Sequence, residues 1–127
     1  MLRKVAFIAA LLAVTASPVL AEGDAAKGKK VFRKCKACHV VDKEKNRVGP
    51  HLVGIFGRPA AGVEKFKYSK AMKAKAEEGL VWDEASIAEF LKAPKKYLKG
   101  TKMAFVGLKK QDDIDNVIAY IKAESGK

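Results

Sequence analysis

Cysteine, histidine and arginine are scarce in this chain of 127 residues. There are two cysteines and two histidines. A structural zinc site needs four ligands, with the second pair well separated from the first, so this sequence disfavours such a site. Only four of the 26 basic residues are arginine. Because bidentate recognition of phosphates and bases depends on arginine, we expect no nucleic-acid partner. After residue 21 no run is apolar enough to cross a membrane, and we expect no stable membrane insertion.

Both cysteines lie in one five-residue stretch, CKACH, which contains Cys35, Cys38 and His39. This spacing is the attachment signature of a c-type haem. Two thiols three residues apart can each add to one haem vinyl group, and the adjacent imidazole can then bind the iron. We therefore predict one covalent haem c per chain. A thioredoxin-like dithiol is disfavoured because no strand leads into the motif, and a plain disulfide is a further alternative.

The N-terminus has the pattern of a secretory signal peptide. Two basic residues precede the apolar run Val5–Val14, and small residues lead up to Ala21. Because the run is too short for a membrane anchor, we predict cleavage after Ala21 and export to the periplasm. Residues 1–21 would be the signal peptide and residues 22–127 one small domain. A buried haem would supply much of the apolar contact that so short a chain lacks.

The formal net charge is +12, and the charges are unevenly placed along the chain. Residues 25–41 contain six basic side chains and no acid, and residues 90–111 contain seven lysines and no acid. Eight of the fourteen acids fall instead within residues 77–89 and 112–115. A solvated lysine surface without a partner is the simplest interpretation, but the polarity favours a basic face that docks transiently on acidic redox proteins.

Capping residues and apolar periodicity predict four helices and no convincing strand. The predicted helices run from Asp24 to about Cys35, from Ser69 through Ala76, from Asp83 to a stop at Pro94, and from Asp112 through Ile121. Long irregular segments at residues 40–68 and 99–110 separate them. Such loops are unusual in a small domain unless they wrap a large cofactor. We expect an all-α fold whose loops surround one haem.

The residue opposite His39 on the iron decides the chemistry. A methionine thioether favours electron transfer, whereas an open position favours gas binding or peroxide chemistry. Met103 lies in an irregular loop that can aim a side chain, and Met72 has a helical position where methionine is more often core. His51 follows His39 by only twelve residues. These positions favour Met103, with Met72, His51, a lysine or an open site as alternatives.

The chain resembles the class I cytochromes c, the group that contains mitochondrial cytochrome c and the short form of bacterial cytochrome c2. Beyond CKACH, the resemblance covers residues 23–122 and rests on VGPHLVGIFGR, FKYS, GLVWDEA, PKKYLKGTKMAF and IDNVIAYIK, in family order and at family spacing. It implies the class I cytochrome c fold around one covalent haem. It also implies a one-electron carrier and not an enzyme.

The same resemblance implies roles for individual residues. Cys35 and Cys38 would form the thioether bonds, and the iron would be bound by His39 and Met103. The Pro50 carbonyl would orient His39. The haem propionates would be surrounded by Arg58, Tyr68, Trp82 and Thr101. The first and last helices would cross at Gly28, Phe32 and Tyr120. The mitochondrial pattern usually has tyrosine and asparagine where this chain has Phe90 and Met72, so fewer polar groups lie beside the haem.

We therefore expect a monomeric periplasmic protein that shuttles single electrons. Its donor would be membrane-bound, such as a cytochrome bc complex, and its acceptor a photosynthetic reaction centre or a terminal oxidase or reductase. The exposed haem edge would be ringed by Lys34, Lys36, Lys95, Lys96, Lys102, Lys109 and Lys110. The alternatives from other classes are a haem enzyme or gas sensor with an open iron position and a haem-free thiol–disulfide oxidoreductase.

Overall fold

The computed structural model describes residues 9–13 and 22–126. In this part of the chain there are five helices: α1 (Ala25–Phe32), α2 (Lys70–Glu77), α3 (Glu84–Lys92), α4 (Pro94–Tyr97) and α5 (Gln111–Ser125). The same residues form no strand, and one isolated antiparallel bridge joins Pro59 to Val81. The expected all-α architecture is confirmed.

Two predictions concern export and membranes. The predicted signal peptide, residues 1–21, lies mostly outside the described residues, as does the predicted cut after Ala21. Within the described ranges, no helix has the length and apolar character needed to span a membrane. Export therefore stays a prediction.

Three helices begin where the sequence predicts, each after a residue whose side chain accepts a hydrogen bond from the first turn. The bonds run from Lys27 N–H to Asp24 Oδ1 (3.0 Å), from Met72 N–H to Ser69 Oγ (3.1 Å) and from Ser86 N–H to Asp83 Oδ1 (2.8 Å). Ser86 Oγ also accepts from Asp83 N–H at 2.9 Å, which completes a reciprocal cap on α3. These local bonds fix the start of each helix without help from distant residues.

The prediction misses the ends of two helices and one short helix. α5 continues to Ser125, one turn beyond the predicted Ile121. α1 ends at Phe32 and not near Cys35, and the residues that follow form turns. α3 ends at Lys92, just before Pro94, as expected. Pro94 also starts the one-turn helix α4, because the fixed φ of proline suits the first helical position. The sequence prediction treats this proline only as a stop and misses α4.

α1 and α5 cross at a contact between their backbones. Gly28 is buried there, and a Cβ atom on it would lie 1.8 Å from the carbonyl oxygen of Asn116 and 2.8 Å from Cβ of Tyr120. Beside it, the ring centroids of Phe32 and Tyr120 are 5.2 Å apart. Gly28, Phe32 and Tyr120 therefore meet as expected, and only glycine allows the helices to approach this closely.

The hydrophobic core is built around α5 and completed by α3 and the loops. The α5 residues at the predicted helical spacing are all buried: Ile114, Val117, Ile118 and Ile121. α3 adds Ile87, Phe90 and Leu91, and the irregular segments add Val41, Ile55, Trp82, Leu98 and Leu108. Backbone bonds such as that from Leu108 N–H to Leu91 O (2.8 Å) tie these segments to the helices. The long loops are therefore packed parts of the domain.

Candidate functional site

The CKACH segment follows α1 as a series of tight turns. Cys35 N–H donates to the Phe32 carbonyl at 2.8 Å, and the N–H groups of Cys38 and His39 donate to the Cys35 carbonyl at 3.1 and 3.0 Å. Both thiols are free, and Cys35, Cys38 and His39 are half-buried. One short piece of backbone thus holds two sulfur atoms and an imidazole, which is the donor set that covalent haem attachment requires.

The environment of the thiols does not favour a redox dithiol. Burial raises the pKa of Cys35 to about 11, although the charge of Lys34 opposes the shift. The thiol is therefore protonated at neutral pH, whereas the attacking cysteine of a thiol–disulfide oxidoreductase has a lowered pKa. Among residues 9–13 and 22–126, no group of three or more His, Cys, Asp or Glu side chains could hold a metal ion, so a zinc site has no ligand set there.

Pro50 fixes the orientation and the tautomer of His39. Its carbonyl oxygen lies 2.7 Å from His39 Nδ1. A carbonyl can only accept, so Nδ1 donates its hydrogen and the ring's lone pair lies on Nε2. Burial lowers the pKa of His39 more than the Pro50 hydrogen bond raises it, which keeps the ring neutral at pH 7. A neutral imidazole with its lone pair on Nε2 fits an axial ligand of haem iron.

Gly49 packs directly against the His39 ring. Together, Gly49 and Pro50 form the backbone contact that holds the imidazole, which we call the seat of His39. Its N–H donates to the Cys38 carbonyl at 2.8 Å. A Cβ atom at position 49 would lie 2.4 Å from His39 Cε1 and 2.8 Å from each ring nitrogen. No larger residue fits against the imidazole without moving it, because protein interiors are close-packed. Sequence reasoning misses this role, for which the glycine directly before Pro50 is the available signal.

His51, one candidate for the second iron ligand, belongs to the segment that holds His39. Leu52 N–H donates to the Val40 carbonyl at 2.9 Å, which ties this segment to the residue after His39. The His51 ring is already engaged in its own turn, since its Nδ1 accepts from Val53 N–H at 3.2 Å. This arrangement disfavours His51 as the ligand opposite His39.

The two candidate methionines are both half-buried and pack against the hydrophobic core. Met72 lies in the first turn of α2. Met103 lies in the irregular segment between α4 and α5, where its N–H donates to Thr101 Oγ1 at 3.2 Å. Both thioethers are chemically suitable ligands for haem iron. Only Met103 is positioned by a loop, whose path a helix does not constrain.

Backbone hydrogen bonds bring Arg58 and Trp82 together. Trp82 N–H donates to the Arg58 carbonyl at 2.9 Å, and Gly57 N–H donates to the Trp82 carbonyl at 2.7 Å. Trp82 is buried, and its ring centroid lies 5.3 Å from that of Phe90. Arg58 and Trp82, which the resemblance assigns to the haem pocket, are therefore neighbours. Their backbone pairing lies next to the isolated bridge between Pro59 and Val81, and the sequence shows no strand pattern that would predict it.

The Arg58 side chain carries a buried donor that has no partner among the described residues. Its Nη1 donates to the carbonyls of His51 (3.0 Å) and Val53 (3.2 Å), whereas its Nε is buried and unpaired. Burial lowers the pKa of Arg58, yet a guanidinium keeps its charge at physiological pH. Arg58 is half-buried, and a buried donor on a charged group is costly when it has no acceptor. This site therefore fits a carboxylate such as a haem propionate.

Tyr68 and Thr101, the other polar residues predicted for the pocket, are half-buried and bonded locally. The Tyr68 hydroxyl accepts from Val63 N–H at 3.1 Å, and Tyr68 is close enough to Arg58 to influence its pKa. The Thr101 hydroxyl accepts from Met103 N–H. A hydroxyl that accepts one bond can still donate another, so both residues can serve a carboxylate as donors.

The lysines predicted for the docking face are all exposed: Lys34, Lys36, Lys95, Lys96, Lys102, Lys109 and Lys110. Where the structure describes the chain, the ion pairs join other residues, Lys75 to Glu78, Lys92 to Glu89 and Lys122 to Glu84. The charges of the seven lysines are therefore not neutralised by carboxylates of the described residues. Such a surface attracts an anionic partner.

Comparison with known proteins agrees with this donor set. The family model described as Cytochrome c matches residues 25–125. Cytochrome c2 of Afifella marina is 55% identical over 98 residues, which cover 76% of this chain and 79% of that protein. Cytochrome c2 of Agrobacterium tumefaciens (strain II Chrys) is 50% identical over 101 residues, which cover 79% and 91%. The solved structure of cytochrome cH from Methylobacterium extorquens matches with a TM-score of 0.72 at 45% identity, covering 80% of this chain and 99% of that one.

Proposed function

Since the chain belongs to the cytochrome c family, we propose that it carries single electrons in the periplasm, between a membrane-bound donor and a photosynthetic or terminal acceptor. It is a class I c-type cytochrome, an electron carrier with one covalent haem c, and not an enzyme. When bound, the haem iron supplies a one-electron couple between its ferric and ferrous states. The residues of this chain hold the group, shield it from water and meet the redox partner.

Cys35 and Cys38 form the two thioether bonds, and His39 Nε2 binds the iron. The observation that carries this assignment is the 2.7 Å hydrogen bond from His39 Nδ1 to Pro50, next to two free thiols on the same turn. The bond holds the ring in one orientation. It also increases the basicity of Nε2, because a carbonyl that accepts the Nδ1 hydrogen leaves more electron density on the ring. A more basic imidazole stabilises the ferric state.

The Met103 thioether would supply the second protein ligand of the iron. The bond from its N–H to Thr101 supports this choice, because it shapes the loop on which the thioether is carried. The helical position of Met72 and the local engagement of the His51 ring favour neither of those residues. A soft sulfur ligand stabilises the ferrous state and raises the potential, as suits an electron carrier.

Arg58, Tyr68, Trp82 and Thr101 surround the haem propionates. The strongest support is the buried, unpaired Nε of Arg58, which a propionate oxygen would satisfy. Tyr68 and Thr101 add hydroxyl donors, and buried Trp82 closes the pocket towards the core. Compensating two carboxylates in this way reduces the cost of removing them from water.

The docking face combines the seven exposed lysines with two exposed apolar side chains. Val48 precedes Gly49 in the seat of His39 and is 79% exposed, and Val106 follows Met103 in its loop and is 83% exposed. An apolar centre with a charged rim suits a brief, wet interface below about 1,200 Å² with an acidic redox protein. Lysines at the rim raise the association rate without making the complex long-lived.

Residues 22–127 form the mature, monomeric domain after cleavage at Ala21. The fold supports a boundary here, because the chain is packed from Gly23 onwards. A Cβ atom on Gly23 would lie 2.0 Å from the Asp115 carbonyl oxygen, and Asp24 N–H donates to Asn116 Oδ1 at 2.8 Å. A donor such as a cytochrome bc complex and an acceptor such as a reaction centre or terminal oxidase would both be reached from the periplasm.

Mass measurement and visible spectroscopy test the proposal. After extraction with acid and acetone, the chain should still carry the mass of one haem and begin at Glu22. The ferric protein should show six-coordinate low-spin bands and the weak charge-transfer band of methionine ligation. High-spin bands that shift with carbon monoxide would indicate a sensor or peroxidase, and absence of a Soret band would leave the dithiol interpretation. Recovery of the holoprotein from the cytoplasm alone would contradict the proposed location.

A further inference from the structure

His51 begins the turn of residues 51–53, whose carbonyl groups accept hydrogen bonds from the Arg58 side chain. Its N–H donates to Asn46 Oδ1 at 3.0 Å, and its carbonyl accepts from Arg58 Nη1 at 3.0 Å. The Val53 carbonyl accepts from the same guanidinium nitrogen at 3.2 Å. Between these two carbonyls, Val53 N–H donates to His51 Nδ1 at 3.2 Å. The imidazole and the guanidinium thus depend on one three-residue turn.

The bond from Val53 requires a lone pair on His51 Nδ1. A protonated imidazole carries a hydrogen on both nitrogens, so protonation would set two donors against each other and break this bond. The pKa of His51 is lowered from 6.5 first by burial and then by the charge of Arg58, while Glu44 raises it. Among the described residues, Arg58 and Glu44 are the charged groups whose effect on the ring is resolved.

We propose that His51 is a positioning residue through which pH adjusts the reduction potential, because its ring titrates on the turn whose carbonyl groups hold Arg58. His51 acts in this way only if Arg58 lies beside a haem propionate, as the proposed function has it. Protonation of the ring adds a positive charge next to Arg58. A positive charge near the haem favours the ferrous protein, which holds one more electron. The potential therefore rises as pH falls through the titration of His51.

Linkage makes this coupling reciprocal. Reduction brings one electron from the electrode or the redox partner, and the proton comes from the solvent. The ferrous protein binds the proton on His51 more tightly, so the pKa of this ring is higher in the ferrous than in the ferric state. Well above both values the ring is neutral in both states, and well below them it is protonated in both. The potential is flat in those two ranges and changes only between them.

Two variants of the holoprotein test the proposal. His51→Asn places an amide oxygen near the position of Nδ1, where it accepts from Val53 N–H but takes up no proton. His51→Ala removes the acceptor as well. We expect the wild-type potential to fall as pH rises through the titration of His51, whose pKa lies below the ordinary value of 6.5, and both variants to lose this slope. Only His51→Asn should keep the wild-type plateau at high pH. NMR titration of the His51 ring, with His39 as the other histidine signal, should give a higher pKa in the ferrous protein.

A His51→Asn protein that keeps the wild-type slope would overturn the proposal, since another group would then titrate. Equal pKa values of His51 in the two redox states would overturn it too. Arg58→Gln tests the route: the ring should still titrate, but the slope should fall at least about two-fold, and an unchanged slope would remove Arg58 from the coupling. The wild-type spectrum is recorded first, because high-spin bands there would instead refute the proposed function.

Discussion

Replacing Gly49 by alanine should disturb the His39 side of the haem site, since the structure leaves no room for a methyl group there. The new Cβ would lie 2.4 Å from His39 Cε1, whereas ordinary van der Waals contact begins at 3.4 Å. The imidazole or the loop must therefore move by about 1 Å. Overpacking of this kind costs about 1–3 kcal/mol.

A shift of about 1 Å would also stretch the 2.7 Å bond from His39 Nδ1 to Pro50 beyond hydrogen-bonding distance. Its loss removes a further ~0.5–1.5 kcal/mol. The free energy of unfolding should therefore fall by about 2 kcal/mol or more, which denaturant titration of the ferric protein would measure. The potential should rise, because an imidazole without this bond is less basic and stabilises the ferric state less.

Gly126→Ala is the matched control. A Cβ atom at Gly126 would have nothing within 4 Å, and the residue has a φ of −95°, which alanine adopts freely. Its effect on unfolding should stay within about 0.5 kcal/mol. If Gly49→Ala unfolds at the wild-type denaturant concentration and keeps the wild-type potential, the contact between Gly49 and His39 is not a constraint and this reasoning is wrong.

Three further predictions address the helix crossing, the second ligand and docking. Gly28→Ala should lower the melting temperature by several degrees, because overpacking against α5 (about 1–3 kcal/mol) outweighs the gain of about 1 kcal/mol in helix propensity; an unchanged melting curve would contradict the close approach. Met103→Ala should abolish the ferric–methionine band while Met72→Leu keeps it, and the reverse result would reassign the ligand. Lys95→Glu should slow electron transfer to an acidic partner more than Lys122→Glu, in stopped-flow measurements across a salt series; equal losses would mean that only net charge matters.

The elements that the sequence predicts well are those fixed by local chemistry. The sequence predicts helices that start at Asp24, Ser69 and Asp83, and each of these side chains accepts a bond from the backbone N–H three residues later. The sequence prediction misses α4 because a proline can either end one helix or begin the next, and the sequence alone does not distinguish these two roles at Pro94. The apolar periodicity of α5 identified its core-facing side, because Ile114, Val117, Ile118 and Ile121 recur at helical spacing and all four are buried.

The candidate site also contains one part that local sequence predicts and another that depends on contacts between separate segments. The spacing of CKACH carries its own chemistry, so the haem could be predicted from five residues. The contact of Gly49 with His39 and the pairing of Arg58 with Trp82 depend on how distant segments meet, and no local pattern encodes such meetings. Local geometry favours Met103, which lies in a loop next to Thr101, over Met72, which lies in the first turn of α2.

One segment, residues 46–58, supports both the seat of His39 and the seat of Arg58. Changes there act on the half-buried side chains of His39 and Arg58, whose surroundings screen a charge less than bulk water does. The docking lysines are exposed and lie on other segments, so a change in one of them alters the approach of a partner while water and salt screen its effect on the iron. Potential and docking rate should therefore vary independently. Gly49→Ala, and His51→Asn at pH values low enough to protonate the wild-type His51 ring, should change the potential with little effect on the salt dependence of electron transfer. Lys95→Glu should change the docking rate and its salt dependence with little effect on the potential. A variant of Lys95 that moves the potential as far as Gly49→Ala does would show that the two functions are not separated in this fold.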